Sequence, residues 1–219
     1  MKRLNKIVSI AFAALPLFAL SACGAAGKTA ETAAQEVQES SLSEESEMVS
    51  TETEATSSGK ILVAYFSATG NTRPIAEAIA KLAGADLFEI VPADPYTEED
   101  LNYNNDSCRA NREQNDSTAR PEISDTVENM DQYDTVLIGH PIWWGEEPRI
   151  MDTFMESYDF SGKTVTDFCT SGGSGISKAT ENLKALSPDA DWLEGNRFET
   201  SADEETIQAW LDELSLSGL

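Results

Sequence analysis

Ser67, Thr69, Asn71 and Thr72 crowd around Gly70 in the segment YFSATGNTRPIAEAIA, residues 65–80. Three hydroxyls, a carboxamide and a glycine stand directly before an amphipathic run. A helix that starts at Asn71 or Thr72 points its unpaired N–H groups and the positive end of its dipole into this loop. That is an environment for a phosphate group, with no lysine required. The plainer alternative is a Ser/Thr-rich helix cap that binds nothing. No Gly-Lys-Ser/Thr follows, so a Walker nucleotide loop is excluded, and a single glycine does not make a G-x-G-x-x-G dinucleotide fingerprint.

Two further segments carry unusual chemistry. PIWWGEEP (141–148) sets Trp143 and Trp144 side by side before Gly145. Two indoles in a loop are costly in water unless they cover something flat, and adjacent side chains point different ways, so one is expected outward and one inward. The core or an interface anchor is the plainer use of such a pair. TSGGSG (170–175) offers Thr170, Ser171, Gly172, Gly173 and Gly175, small residues whose N–H groups are open to a ligand edge. His140 is the only histidine. Next to Pro141 it reads first as a support for loop geometry and second as a proton donor. Asp94, Glu98, Glu99 and Asp100 read as a solvated charge run.

The elements that must position these loops follow from hydrophobic period. KILVAYFS (60–67) is a short apolar run suited to a strand buried on both faces. Ile75, Ala78, Ile79 and Leu82 share one helical face, and Gly84 stops that helix. DLFEIVP (86–92) alternates as a strand, and a long polar excursion follows. YDTVLIGHPIWWG (133–145) predicts a central strand running into its loop, PRIMDTFMESY (148–158) a helix, and TVTDFC (164–169) a fourth strand. A helix over SKATENLKALS, a short strand at NRFE and a last helix over ADEETIQAWLDEL complete the chain, with Ser201 and Glu204 at capping-box spacing. Alternating strands and helices predict an α/β domain, a three-layer doubly wound five-stranded parallel sheet. All three loops then face one sheet edge, where such folds bind ligands.

Residues 1–23 open with Lys2, Arg3 and Lys6, continue through an apolar stretch, and end in Leu20-Ser21-Ala22-Cys23. This reads as an export signal whose end resembles the lipobox of bacterial lipoproteins, with Cys23 lipidated. Residues 24–59 are Ala, Ser, Thr and Glu without an aromatic residue, and are expected to be a disordered acidic linker. The expected location is the cell envelope, on a membrane through the lipid anchor. From Lys60 to Leu219 the composition suits one domain. That domain holds 31 Asp and Glu against 11 Lys and Arg, which argues against nucleic acid as a partner. Cys108 and Cys169 lie 61 residues apart, with neither metal-site nor C-x-x-C spacing, so no metal is expected. Export would permit a bridge between them, but Cys169 falls in an expected buried strand, which makes a bridge the less expected outcome.

SATGNT after ILVAYF resembles the phosphate-binding loop of flavodoxins, Ser/Thr-x-Thr-Gly-Asn-Thr. The likeness runs over nearly all of residues 60–214, and GHPIWWGEEPR with TSGGSG resembles a bacterial flavodoxin-like group related to flavin-dependent quinone reductases. The resemblance implies a flavodoxin-like domain over 60–219 with strand order 2-1-3-4-5 and FMN held non-covalently. It implies Ser67, Ala68, Thr69, Gly70, Asn71 and Thr72 around the phosphate. Pro141, Ile142, Trp143, Trp144 and Gly145 would lie beside the isoalloxazine, with Trp143 the nearer indole, and Thr170, Ser171, Gly172, Gly173 and Gly175 along its pyrimidine edge. The third loop lacks the Tyr usual in electron-transfer flavodoxins; either Tyr96 or Tyr103 from the excursion substitutes for it, or that face of the ring stays open to a substrate. The implied function is electron transfer or NAD(P)H:quinone-type reduction, with a redox partner protein or a small acceptor such as a quinone, and NAD(P)H as a candidate donor. The alternative is an exported binding module of the same fold that has lost flavin. For the N-terminal segment, plain secretion with cleavage near Ala22, or an uncleaved anchor, are the alternatives to lipidation. Labelled fatty acid taken up by the parent chain and lost in Cys23→Ala is expected for lipidation, and an unlabelled parent refutes it.

Overall fold

The structure, a computed structural model, describes residues 59–216. The expected export segment, and the expected linker up to residue 58, lie outside the described residues. Chain order is β1 (Lys60–Tyr65), α1 (Thr72–Ala83), β2 (Asp86–Glu89), α2 (Arg109–Asn115), a 3-10 turn (Met130–Gln132), β3 (Tyr133–Pro141), α3 (Arg149–Glu156), β4 (Thr164–Thr170), α4 (Ser177–Leu186), β5 (Asp191–Trp192), β6 (Asn196–Phe198) and α5 (Glu204–Glu213). Every pairing is parallel and the order is β2-β1-β3-β4-β5, with β6 also paired to β4. This is the expected doubly wound order.

Alternation along the strands divides two cores. Leu62, Ala64, Val136, Ile138 and Val165 face α3 and α4, where Ile150, Phe154 and Leu183 close over them. Ile61, Val63, Tyr65, Leu137 and Phe168 face α1 and α5, against Ile75, Ile79, Ile207 and Trp210. Because both faces are covered, β1 and β3 are apolar at consecutive positions rather than alternating. The polar excursion is anchored by α2, which buries Ala110 and Gln114.

Two details differ from the sequence expectations. The fifth strand is split into β5 and β6, with Gly195 between them. A Cβ on Gly195 would come within 2.3 Å of Asp167 Oδ1 and 2.7 Å of the Asp167 carbonyl, so the edge strand bends around that buried carboxylate. At α5 the cap is Asp203 rather than Ser201. Its Oδ1 accepts from the Thr206 N–H at 2.9 Å and the Thr206 hydroxyl at 2.7 Å, satisfying the third N–H of the helix.

Gly139 lies between Tyr65 and Phe168 in the sheet register. A Cβ there would sit 2.3 Å from the Phe168 ring and 2.9 Å from Tyr65 Cβ. The rings occupy the space the glycine leaves, and overpacking of this kind costs about 1–3 kcal/mol. Gly139→Ala is therefore expected to destabilise the protein by that amount, lowering the urea midpoint without changing the m-value. A variant as stable as the parent contradicts this packing.

Candidate functional site

The loops after β1, β3 and β4 leave the carboxyl edge of adjacent strands, and specific bonds hold them in register. The Phe66 N–H donates to Gly139 O at 2.9 Å, and the Ile142 N–H to Thr170 O at 3.3 Å. Thr72 Oγ1 and Thr170 Oγ1 lie 2.8 Å apart in the interior, joining the start of α1 to the end of β4. Between the loops is a cleft of about 490 Å³. The first loop supplies Thr69 and Asn71, the second Pro141, Ile142 and Trp143, and the third Thr170 to Ser174.

Gly70 has φ +80°, and a Cβ at this position would meet no atom within 4 Å, so backbone conformation rather than space demands glycine there. Ser67 supports the loop from below: its Oγ accepts from the N–H of Thr72 at 3.1 Å and of Arg73 at 3.2 Å. Among the described residues the N–H groups of Thr69, Gly70 and Asn71 have no protein acceptor. Arg73 is spent elsewhere, paired with Glu89 at 2.5 Å. The cradle thus consists of open backbone donors, hydroxyls and a helix start, which suits an anion bound by hydrogen bonds rather than by a cationic side chain.

The second loop is a two-residue hairpin turn. Trp143 and Glu146 exchange both backbone bonds, at 2.9 and 3.0 Å, while Trp144 and Gly145 take φ of +49° and +89°. The two indoles part company. Trp143 is 3% exposed, its ring edge-on to Phe66 at 5.7 Å and Tyr96 at 5.3 Å. Trp144 is 48% exposed and meets Tyr103 edge-on at 5.3 Å. Although Trp143 reaches the cleft wall, the exposed indole is Trp144, held in a left-handed conformation that a bulky residue seldom adopts.

Several expected residues do not line the cleft. Ser67 and Ala68 border a separate groove of about 140 Å³ with Tyr96 and Pro92. Thr72 is buried, and Gly70, Trp144, Gly145 and Gly175 stand off the wall. His140 is fully buried behind it. Three cleft residues fall outside the expected set or enter it only as alternatives: Ser174, Thr200 beyond β6, and Tyr103 from the excursion. Thr200 carries a usable signal, because it follows a strand end at the same edge. Nothing in its local pattern distinguishes Tyr103 from Tyr96. The latter faces inward, donating a short hydrogen bond to Glu113.

Among the described residues the cysteines, Cys108 and Cys169, are both free and buried, away from the cleft wall. Cys108 caps α2, and burial pushes the Cys169 thiol up to about 12. Among the described residues no group of His, Cys, Asp and Glu could hold a metal ion.

These features meet at the switch point between β1 and β3. The flavodoxin family model matches residues 60–214. The chain belongs to the flavodoxin family. A candidate flavoprotein from Bacteroides eggerthii is 49% identical, over 71% of this chain and 98% of that chain, with a TM-score of 0.68. A second, from Bacteroides uniformis, is 43% identical, over 70% and 98%, with a TM-score of 0.68. No curated protein matches.

In this flavodoxin-family chain the second loop ends on a buried polar cluster. Glu146 pairs with Arg149 at 2.8 Å, so its charge is compensated. Glu147 is 0% exposed and turns away from the cleft, taking two bonds from Asn182 Nδ2 at 3.1 and 3.2 Å. Arg149 Nη1 lies 3.4 Å from Glu147 and 3.6 Å from Asp152. Gln114 of α2 donates to the Glu147 carbonyl at 3.0 Å, tying the excursion to this loop. Burial pushes the Glu147 carboxyl up to about 8, and the Asp152 charge adds to that; burial raises Asp152 as well.

A carboxyl raised on folding holds its proton in the native state across a window where the unfolded chain has lost it. Its contribution to stability therefore falls as pH rises from the ordinary carboxyl value of 4.5 to about 8. Glu147→Gln keeps an acceptor for Asn182 and removes the titration. Denaturant unfolding at pH 5 and 9 is expected to show the variant gaining on the parent by roughly 2–4 kcal/mol with rising pH. Parallel pH profiles contradict a buried, proton-holding Glu147.

Proposed function

We propose that the chain binds FMN in this cleft and serves as a redox protein at the cell envelope. One observation carries the reading. In a chain of the flavodoxin family, a helix start with open N–H groups and a glycine-lined slot meet at one sheet edge. On this reading the N–H groups of Thr69, Gly70 and Asn71 and the loop hydroxyls hold the phosphate, with Ser67 and Thr72 fixing the loop. Pro141, Ile142 and Trp143 flank the ring. The N–H groups around Ser171 to Ser174 face its polar edge, where donors favour added negative charge. Tyr103 and Trp144 frame the mouth with two flat surfaces.

Bound FMN would supply a centre able to accept two electrons, singly or as hydride. The chain's part is to bind, orient and screen that centre. The third loop carries no aromatic residue, so access rests on the Tyr103–Trp144 pair. This openness favours a small flat acceptor of the quinone class with NAD(P)H as donor, over service as a single-electron carrier to a partner protein. The Cys23 motif favours the envelope as the place of work.

Absorbance titration of the full chain with FMN and with riboflavin tests the core of this reading. Uptake of FMN to a yellow complex, at least tenfold tighter than riboflavin, is expected because only FMN engages the first loop; tenfold corresponds to about 1.4 kcal/mol. A colourless protein that takes up neither would leave the fold as a binding module without flavin.

A further inference from the structure

His140 and Asp167 have no part in holding a ligand, yet both are completely buried side by side on β3 and β4. His140 Nδ1 lies 3.1 Å from the carbonyl oxygen of Pro141, a residue of the cleft wall. A carbonyl only accepts, so Nδ1 carries a hydrogen. Nε2 lies 3.4 Å from Asp167 Oδ2, and that approach needs a further proton between the two groups. Imidazolium with carboxylate, or imidazole with carboxylic acid, are two descriptions of one neutral pair. On the far side, Thr180 Oγ1 lies 2.9 and 2.8 Å from the two Asp167 oxygens, and its single hydrogen serves only one of them. Thr180 and Gly195 also line a groove of about 340 Å³ on the outer side of α4. A short polar path thus runs from that groove, through Thr180, Asp167 and His140, to the back of the cleft.

We propose that His140 and Asp167 are a proton-holding pair, filled from the α4 groove, whose occupancy follows the charge in the cleft. The inference rests on the flavin reading above. At net zero the pair holds one proton on its axis. Taking a second from solvent gives net +1, and that gain is favoured when a reductant adds negative charge behind Pro141. The chargeable groups on the surrounding elements are Cys169 on β4, Arg197 on β6, Glu181 and Lys184 on α4, Glu194 between β5 and β6, and Glu147 with Arg149 at α3. Among the described residues none of these is within ion-pair distance of either member, and His140 is the one basic side chain within that distance of Asp167. The pair is therefore free to answer the cleft. It is a positioning and proton-linkage device, not a reacting group.

Because His140 is the only histidine, its imidazole ¹⁵N signals in the full chain report this pair without ambiguity. The spectra are followed from pH 5 to 9 with FMN oxidised, and again after dithionite reduction. At a given pH in that range the signals are expected to move on reduction toward those of the more protonated pair, as negative charge added nearby would cause. His140→Gln and Asp167→Asn should each flatten the dependence of reduction potential on pH over the same range. Identical signals in the two states at every pH, or an unchanged slope in His140→Gln, would each overturn the proposal while leaving flavin binding intact. Failure to take up FMN would overturn both readings together.

Discussion

One constraint governs this molecule: its strands are all parallel. Parallel strands need crossover connections, and right-handed crossovers bring every strand-to-helix loop to the same sheet edge. Segments separated by 98 residues, such as Thr72 and Thr170, thereby meet at 2.8 Å. The cleft exists because β1, β3 and β4 are neighbours in space while their loops are too small to fill the gap between them. Covering both faces with helices follows from the same constraint, and it makes the interior apolar enough that every buried polar group stands out.

Most of those polar groups are gathered in or just beneath the three loops, Thr166 and Ser187 being exceptions: the Thr72–Thr170 pair, His140 with Asp167 and Thr180, and Glu147 with Arg149, Asp152, Asn182 and Gln114. Burying such groups is costly unless their partners are in place, so each cluster ties specific elements together. The Glu147 cluster binds the excursion to the hairpin that carries Trp144. That hairpin forces a tryptophan into a left-handed turn, a local cost borne where an indole is displayed next to Tyr103. Gln114 Oε1, Arg149 Nε and Asp152 Oδ1 are buried without a partner, all in this one cluster.

Much of the fold and part of the site are legible in the residues themselves. Apolar runs at β1 and β3 announce strands buried twice over, and the 3.6-residue period at Ile75, Ile79, Ile207 and Trp210 announces the covering helices. The loop residues Thr69, Asn71 and Thr170 to Gly173 are readable because polar and glycine residues follow strand ends, and Pro141 and Ile142 because they lead into the two indoles of the second loop. What is not legible has one cause. Which of Trp143 and Trp144 is exposed depends on a hairpin closed by Glu146, and which of Tyr96 and Tyr103 reaches the cleft depends on how the excursion packs. The splitting of the fifth strand depends on Asp167, a residue on its neighbour.

The motifs SATGNT, GHPIWWGEEPR and TSGGSG carry the likeness to the family, while the layer order and the edge at which chemistry is gathered follow from local period and from the handedness of parallel crossovers. Only the tertiary structure decided which side chains face the cleft, that Glu147 turns inward while Glu146 is neutralised by Arg149, and that the lone histidine is sealed against Asp167 rather than open to a ligand. The physical reason is that orientation and desolvation are set by neighbours distant in the chain. The type of a residue records what it can do; the burial of its neighbours decides what it does.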